Sequence, residues 1–303
     1  MDLVISQLSK TYPNGVRALD DVSLTIPPGL YGLLGPNGAG KSSLMRTIAT
    51  LQEPDVGSIR FGELDALTQK EELRQTLGYL PQEFGLYPKV PAEDLLDHFA
   101  VLKGVIHRKE RKALVQALLQ QTNLWQVRRK KVGGYSGGMR QRFGIAVALL
   151  GDPRLLIVDE PTAGLDPEER VRFLNLLAEL GENAVVILST HIVEDVSELC
   201  SRMAIINQGR ILLETEPATA VEELSGRVFE KAIQKEDIPE HQERTDFLSQ
   251  KRILGRTVVR VCSSEQPQGF SESASSLEDV YFATLRGHLG RSAPAAASIA
   301  EAS

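Results

Sequence analysis

Short apolar runs rich in Leu, Ile and Val recur along the chain, and helical patterns of apolar residues lie between them. Runs of this kind, bounded by Gly, Pro or polar residues, are typical of parallel strands with helices packed on the sheet. The predicted strands are Leu3–Leu8, Leu30–Leu34, Leu77–Leu80, Leu155–Val158, Ala184–Leu188, Arg202–Ile206 and Ile211–Glu214. We therefore predict an α/β fold with a mainly parallel sheet. The turn Asn207-Gln208-Gly209 predicts an antiparallel hairpin, which would make the sheet mixed at one edge.

Strand-like runs disappear between Pro91 and Leu150, where helical patterns dominate, most clearly at Ala92–Leu102 and Arg108–Gln120. Periodicity of this kind predicts a group of amphipathic helices. The expected organisation is a main domain over residues 1–222, with a helical subdomain at about 88–150 inserted between two halves of its sheet.

The composition becomes more polar after about residue 223, and the only well-patterned segments there are Arg256–Cys262 and Ser276–Arg286. Short strand and helix signals predict a small C-terminal α+β extension over residues 223–291. Residues 292–303 consist mostly of Ala and Ser without a usable amphipathic pattern, and they are predicted to form a disordered tail.

A glycine-rich segment follows the predicted strand Leu30–Leu34 and precedes a helical pattern that begins at Lys41. It satisfies the pattern GxxxxGK[ST] in the context that a phosphate-binding loop requires. Its residues are Gly35, Pro36, Asn37, Gly38, Ala39, Gly40, Lys41 and Ser42, followed by Ser43. Backbone N–H groups of such a loop point at phosphate oxygens, and the lysine reaches the terminal phosphates. The segment predicts a binding site for a nucleoside triphosphate, with the Ser42 hydroxyl as a ligand of Mg²⁺.

Two carboxylates end another apolar strand, in the sequence Leu155-Leu156-Ile157-Val158-Asp159-Glu160. An acid at this place lies beside the Mg²⁺ of a neighbouring phosphate loop, and Asp159 is the candidate. Glu160 is expected to face the other way and to polarise a water for attack on the γ-phosphate. An acidic turn that merely closes a strand is the competing interpretation, and the phosphate loop makes hydrolysis the favoured one.

Charge and cysteine content exclude several classes of function. The chain has 303 residues, with 34 Lys and Arg against 40 Asp and Glu, and a formal net charge of -6. Bulk attraction to nucleic acid is therefore disfavoured. Two cysteines cannot form a four-cysteine zinc site or a disulfide framework, and they fit a reducing compartment. The N-terminus lacks the features of a signal peptide, and no apolar stretch approaches the length of a membrane span.

Four further motifs follow in a fixed order along the chain. They are Leu80-Pro81-Gln82-Glu83, Tyr135-Ser136-Gly137-Gly138-Met139-Arg140-Gln141, Ala163-Gly164-Leu165-Asp166 and Leu188-Ser189-Thr190-His191. With the phosphate loop and the Asp159-Glu160 pair, these motifs resemble the ATP-binding subunit of an ABC transporter over roughly residues 1–218. Tyr135 and Met139 depart from the commonest form of the signature motif, as in the exporter (ABC-2-like) branch, and leave Ser136-Gly137-Gly138 intact.

The resemblance implies a role for each motif. Ser136, Gly137, Gly138 and Asp166 would contact ATP held by the opposite subunit, with the Ser136-Gly137-Gly138 segment at its γ-phosphate. Gln82 would touch Mg²⁺ or water, and His191 would contact the γ-phosphate. Structural readings coexist with these roles, because Ser136 and Asp166 are also suited to cap the helices that follow them.

Tyr12 precedes the turn Pro13-Asn14-Gly15 and resembles the aromatic residue on which adenine stacks in this family. An aromatic face makes such a contact without strict hydrogen-bond readout. A tyrosine that only packs against its own turn is the alternative, and the two interpretations predict different effects of Tyr12→Ala on ATP affinity.

The family also implies cofactors, partners and a location. ATP and Mg²⁺ would be bound, a second ATPase subunit would complete each site, and transmembrane permease subunits would be driven, with no nucleic acid as partner. The protein would be cytoplasmic and peripheral on the inner face of the membrane. The sequence Ser276-Leu277-Glu278-Asp279-Val280-Tyr281-Phe282 resembles the closing segment of exporter-type ATPases, although an amphipathic packing helix explains it equally. The alternative function is a soluble ABC-type ATPase in translation or DNA maintenance. A kinase would share only the phosphate loop.

Overall fold

The structure is a computed structural model, and it describes residues 1–82, 85, 87–162, 165–244 and 246–290. Its strands are β1 (Leu3–Thr11), β2 (Arg17–Ile26), β3 (Gly29–Leu34), β4 (Val56–Phe61), β5 (Leu64–Asp65), β6 (Leu77–Leu80), β7 (Leu155–Asp159), β8 (Val185–Thr190), β9 (Arg202–Asn207), β10 (Arg210–Thr215), β11 (Val228–Ile233), β12 (Phe247–Ile253), β13 (Arg256–Cys262) and β14 (Ser271–Glu272). Its α-helices are α1 (Lys41–Ile48), α2 (Lys70–Thr76), α3 (Ala92–Leu102), α4 (Arg108–Gln121), α5 (Gly137–Ala148), α6 (Pro167–Gly181), α7 (Val193–Leu199), α8 (Pro217–Glu223), α9 (Ile238–Gln242) and α10 (Leu277–Leu285).

The central sheet has the strand order β10-β9-β3-β8-β7-β6. All its neighbours pair in parallel except β9 and β10, which form the antiparallel hairpin predicted at one edge. Every residue of β7 and β8 is buried, as expected for strands covered by helices on both faces. The carboxyl ends of β3, β7 and β8 therefore meet at one edge, and the predicted phosphate loop follows β3 there.

A second sheet has the order β2-β1-β4-β5 and is antiparallel throughout. The predicted strand Leu3–Leu8 lies here, within β1, and its expected place in the mainly parallel sheet was wrong because it pairs with β2 and β4. The strand β2 alternates between buried and exposed positions over most of its length, the pattern of a sheet with one solvated face. Asp20 and Asp21 interrupt the apolar sequence of β2, so no continuous run marks it.

The helical patterns predicted between Pro91 and Leu150 are confirmed as helices. The helix α3 has the predicted bounds, and α4 extends one residue further than predicted. Their buried leucines and Phe143 of α5 belong to the same hydrophobic cluster as the central strands. Among the described residues, no helix combines the length and apolarity needed to cross a bilayer.

The C-terminal segment forms a third sheet with the order β12-β13-β11-β14. Its strand β13 and the helix α10 lie where the sequence predicted a strand and a helix. The helix α10 packs on α7, α8 and the β9–β10 hairpin, and Val280 shares a core cluster with Met203 and Ile205. The division into residues 1–222 and 223–291 stays a prediction, and the predicted tail at 292–303 lies outside the described residues.

Candidate functional site

The phosphate loop connects β3 to α1, and its shape depends on glycine. Gly38 and Gly40 have φ values of +80° and +107°, in the left-handed region that favours glycine. A Cβ at Gly40 would also collide with the carbonyl oxygen of Ala18. The Lys41 Nζ donates hydrogen bonds to the carbonyls of Gly35 (2.7 Å) and Pro36 (3.2 Å), so the loop wraps around its own ammonium group.

The turn of the β9–β10 hairpin hydrogen-bonds to this loop, a long-range contact that no local sequence pattern predicts. The Gly209 N–H donates to the Ala39 carbonyl at 2.9 Å, and the Gly209 carbonyl accepts from the Asp20 N–H at 2.8 Å. Arg210 Nε in turn donates to the Asp20 carboxylate at 2.5 Å. The hairpin thus fixes the loop to β2 through the backbone of a glycine whose φ is +75°.

Glu160 is the residue at which the predicted catalytic side chains meet. Its Oε1 lies 3.3 Å from Lys41 Nζ, while its Oε2 lies 3.3 Å from His191 Nδ1 and accepts a hydrogen bond of 3.2 Å from Gln82 Nε2. Only 8% of Glu160 is exposed. Residues from three separate segments of the sequence therefore converge on the buried carboxylate of a fourth.

The orientation of Glu160 has a different cause from the strand alternation on which the prediction was based. The strand β7 ends at Asp159, and Glu160 has a φ of +47°, which is uncommon for a residue with a side chain. Its N–H donates to the Ser189 carbonyl at 2.8 Å, which holds this backbone conformation. Backbone strain of this kind is often found at functional sites.

Asp159 is buried, and its Oδ1 has no hydrogen-bond partner within the described part of the chain. An unpaired buried carboxylate oxygen is costly unless it serves a ligand. Asp159 also helps to raise the pKa of the Tyr79 hydroxyl, of which burial is the main cause. The other predicted metal ligands, Ser42 and Gln82, likewise offer oxygen atoms, the donors that Mg²⁺ prefers. The residues present therefore fit this ion.

Asp195 on α7 connects the segment after Glu160 to α6, and the sequence analysis missed it. One of its oxygens accepts a 2.6 Å hydrogen bond from Thr162 Oγ1, and the other accepts a 2.7 Å bond from Arg170 Nε. Asp195 is completely buried. Asp195 lies four residues after His191, at the start of a helix, and this position could have marked it as a candidate residue. It links the His191 segment to the helix capped by Asp166.

Ser136 and Asp166 each lie at the start of a helix, immediately before α5 and α6. Ser136 caps α5 by accepting from the Met139 N–H at 3.2 Å, and Asp166 caps α6 by accepting from the Glu169 N–H at 2.9 Å, which confirms both predicted caps. Gly138 faces Glu169, which pairs with Arg142 at 3.0 Å. The two predicted cross-subunit contacts thus sit on neighbouring helix starts, and Ser136 and Gly137 are exposed. Ala163 and Gly164 lie outside the described residues.

The Tyr12 hydroxyl contacts Ser43 Oγ and donates to Gln52 Oε1, both at 3.0 Å. Gln52 Nε2 donates in turn to the Ser43 carbonyl at 2.8 Å. These bonds hold the ring beside the first turn of α1. That position suits the adenine-stacking prediction, which stays a prediction because packing alone explains the same contacts.

Comparison with known proteins gives the same picture. A family model described as "ABC transporter" matches residues 19–163. The ABC transporter ATP-binding protein NatA of Bacillus subtilis (strain 168) is 39% identical over 200 residues, which cover 65% of this chain and 81% of NatA. The Nod factor export ATP-binding protein I of Burkholderia pseudomallei (strain 1710b) is 32% identical over 263 residues, 86% of each chain.

A solved structure resembles the fold as well. It is the dimeric post-hydrolysis state of the ATP-binding cassette MJ0796 bound to ADP and Pi, with a TM-score of 0.65 and 26% identity, covering 71% of this chain and 98% of the other. The mainly parallel α/β sheet, the phosphate loop and the shared sequence lead to one assignment. The chain belongs to the ATP-binding subunits of ABC transporters, a family of ATP-hydrolysing P-loop proteins.

Proposed function

We propose that this chain hydrolyses ATP in a composite site formed by two ATPase subunits, and that closing and opening of this dimer drives export through separate transmembrane permease subunits. The observation that carries the proposal is the convergence of Lys41, Gln82 and His191 on the buried carboxylate of Glu160. A carboxylate placed among these groups at the carboxyl edge of the sheet is suited to activating a water beside a bound γ-phosphate.

Each member of the cluster has a role that follows from its chemistry. Glu160 accepts a proton from the attacking water as the bond to the γ-phosphorus forms and the bond to the β-phosphate oxygen breaks. His191 and Gln82 orient the Glu160 carboxylate through their contacts with Oε2. Lys41 exchanges its bonds with the loop carbonyls for bonds with the β- and γ-phosphates, which stabilises the charge that builds up on transfer.

Mg²⁺ would be held by Ser42 and Asp159 with help from Gln82, and when bound it neutralises phosphate charge. The protein's own part is to present Asp159 Oδ1, whose buried position leaves it without another partner among the described residues. Tyr12 would stack against adenine, with its hydroxyl anchored by Ser43 and Gln52.

The second subunit would supply Ser136, Gly137, Gly138 and Asp166. Ser136 caps α5, and the N–H groups that follow it form a positive helix start, to which a γ-phosphate is attracted. The exposure of Ser136 and Gly137 supports this role, because an anion held by another chain has access to them. The partner subunit is either a second copy or a related chain.

Permease subunits would hold the dimer at the inner face of the cell membrane, which gives the chain a cytoplasmic location. Export is the proposed direction, supported by similarity to the Nod factor export protein along 86% of the chain. The alternative of a soluble ATPase acting on ribosomes or DNA has no such support, because the matched relatives carry transporter names.

The test combines Glu160→Gln with purification of the tagged chain from membranes in mild detergent. This variant removes the base but keeps the shape of the side chain, so hydrolysis should fall at least about a hundredfold while ATP binding persists. Light scattering should then detect an ATP-dependent dimer, and mass spectrometry a stoichiometric membrane protein with several helices. A monomer under saturating ATP would contradict the dimer mechanism. Ribosomes or DNA proteins in place of a membrane protein would contradict the transport function.

A further inference from the structure

The C-terminal segment has a cleft between β11, the β12–β13 hairpin and residues 234–241. The volume of this cleft is about 830 Å³. Small-molecule sites in proteins have volumes of about 300 to 1,000 Å³. None of the described residues that line the cleft belongs to the proposed ATP site. The cleft is therefore large enough for a ligand other than ATP.

Two cations, an amide and a hydroxyl lie on the same face of the sheet in this cleft. Lys231 of β11 and Gln250 of β12 both pair with Val259 of β13, the strand between them. Arg252 of β12 pairs with Thr257, which precedes Val259 by two positions. Paired residues, and residues two positions apart along a strand, lie on the same face of a sheet. The strand register therefore brings these four polar side chains together, and all four line the cleft.

The walls of the cleft carry more positive than negative charge. Two acidic residues line it, Glu236 and Asp237. One lysine of the cleft, Lys251, pairs with Glu278 of α10. Four further cations line the cleft, and none of them has an ion-pair partner among the described residues: Lys231, Lys235, Arg252 and Arg256. Like charges held close together repel one another, so an anion bound among these cations relieves the repulsion.

A buried histidine in the same cleft points independently to a ligand. His241 of α9 is 8% exposed, and its Nδ1 has no hydrogen-bond partner in the described part of the chain. Its ring lies edge-on to Phe270, with the ring centroids 5.9 Å apart, and Lys231 Nζ lies 5.6 Å from the centre of the same Phe270 ring. One aromatic ring thus holds both His241 and a cation of the cleft in place. A buried polar atom without a partner is costly unless it serves a ligand.

We propose that this cleft binds a small polyanion, a compound with two or more phosphate or carboxylate groups. Lys231 and Arg252 bind its charged groups, and an arginine can form two parallel bonds to a phosphate or a carboxylate. Gln250 and Thr257 donate hydrogen bonds to further oxygens, and His241 Nδ1 provides another polar contact. A polyanion fits better than a single anion because the unpaired cations come from three separate segments, and one anionic group would leave some of them unpaired. This inference does not depend on the proposed transport function.

The first test titrates the full chain with pyrophosphate and with citrate in a calorimeter. Inorganic phosphate and acetate serve as the matching probes with a single anionic group, and saturating ADP keeps the phosphate loop occupied throughout. The cleft variant K231Q/R252Q is compared with R108Q/K109Q, which also removes one arginine and one lysine, both exposed on α4. Thermal unfolding checks that both variants are folded.

At least one polyanion should bind the wild-type chain about tenfold or more tightly than its matching single-group probe, and the polyanion that binds identifies the phosphate or the carboxylate class. The cleft variant should weaken this binding about tenfold or more, and the α4 variant about twofold or less. Equal losses in the two variants would overturn the proposal, because the attraction would then be unspecific. Binding of neither polyanion at millimolar concentration would also overturn it. So would tighter binding of a single-stranded DNA oligonucleotide that the cleft variant abolishes, since the site would then serve nucleic acid.

The second test uses His241→Phe, which keeps an aromatic ring beside Phe270 but removes both ring nitrogens. This variant should bind the polyanion about fivefold or more weakly, while without a ligand it should unfold at the same temperature as the wild type or a higher one, because a buried unpaired nitrogen is gone. Thermal unfolding with and without the polyanion measures both effects. Unchanged binding would overturn the assignment of His241 to the site. Basal ATP hydrolysis of this variant and of K231Q/R252Q should stay within about twofold of the wild type, and a large loss in both would overturn a site separate from that of ATP.

Discussion

The two halves of the proposed ATP site are both helix starts that follow glycine-rich segments, yet they differ in how far the chain itself satisfies them. In the Lys41 half, the lysine side chain proposed to bind phosphate is 4% exposed and already contacts two loop carbonyls and Glu160. In the Ser136 half, the helix start is exposed, and Ser136 bonds only to the backbone of its own helix among the described residues.

The proposed ATP site therefore has one half that is prearranged within the chain and one half that is exposed at its surface. A buried polar cluster retains its geometry because each group is held by several partners. An exposed helix start attracts an anion but provides little geometry of its own. In the proposed dimer the two halves would complement each other, and a head-to-tail pair of subunits would complete both sites.

Complementation between variants tests whether the two halves act across the subunit boundary. Lys41→Ala removes the proposed phosphate-binding side chain of the Lys41 half. Ser136→Arg places a large side chain over the exposed helix start of the Ser136 half. Each should lower ATP hydrolysis at least about a hundredfold alone. In an equimolar mixture, half of the dimers are mixed and carry one intact site, so about a quarter of the wild-type rate should return. Phosphate release on mixing measures it.

The control mixes Lys41→Ala with the double variant that carries both substitutions, because no dimer of these chains has an intact site. It should recover no activity. If the first mixture also stayed inactive although light scattering showed mixed dimers, the two halves would not act across the subunit boundary.

The second prediction concerns the rigidity of the Lys41 half. Gly40→Ala places a Cβ against the Ala18 carbonyl at a φ of +107°, so it should lower the free energy of unfolding by about 3 kcal/mol. Gly15→Ala is the matched control, because Gly15 has a φ of +83° and open space around its Cβ position, and it should cost about 1 kcal/mol. Urea unfolding without nucleotide measures both. Equal costs would contradict a tightly packed loop.

The sequence predicted the parts of the site that are contiguous along the chain. The phosphate loop, the buried strand β7 and the caps Ser136 and Asp166 each combine local propensity with a short pattern, and the structure has them in these places. The helices α3 and α10 were equally predictable, because their apolar residues recur at helical spacing.

Contacts between residues far apart in the sequence could not be predicted from such local patterns. The support of Ala39 by Gly209 joins residues 170 positions apart, and no local pattern encodes it. The positive φ of Glu160 depends on the Ser189 carbonyl of a neighbouring strand. The strand β2 was missed because its charged residues are typical of a loop. Only pairing with a neighbouring strand buries the apolar residues that alternate with them. Tertiary contacts override local propensity at all three places.

The last prediction concerns a buried thiol that packs against β3. Cys200 is 7% exposed and lies below Gly32, and burial, aided by the Asp195 carboxylate, raises the pKa of its thiol from 9.0 to about 12. The pKa of the Cys200 thiol is thus higher in the folded chain than in the unfolded chain. The protonated thiol therefore contributes stability that is fully present below pH 9 and is lost as the pH rises towards 12. At pH 10 the loss of stability should be about 1 kcal/mol.

The measurement is urea unfolding of wild type and Cys200→Ala between pH 8 and pH 10. The buried tyrosines are common to both chains, so their contribution to the pH dependence cancels in the comparison. The wild type should lose more stability than the variant over this range, whereas parallel profiles would show that the thiol ionises as easily in the folded chain as in the unfolded one.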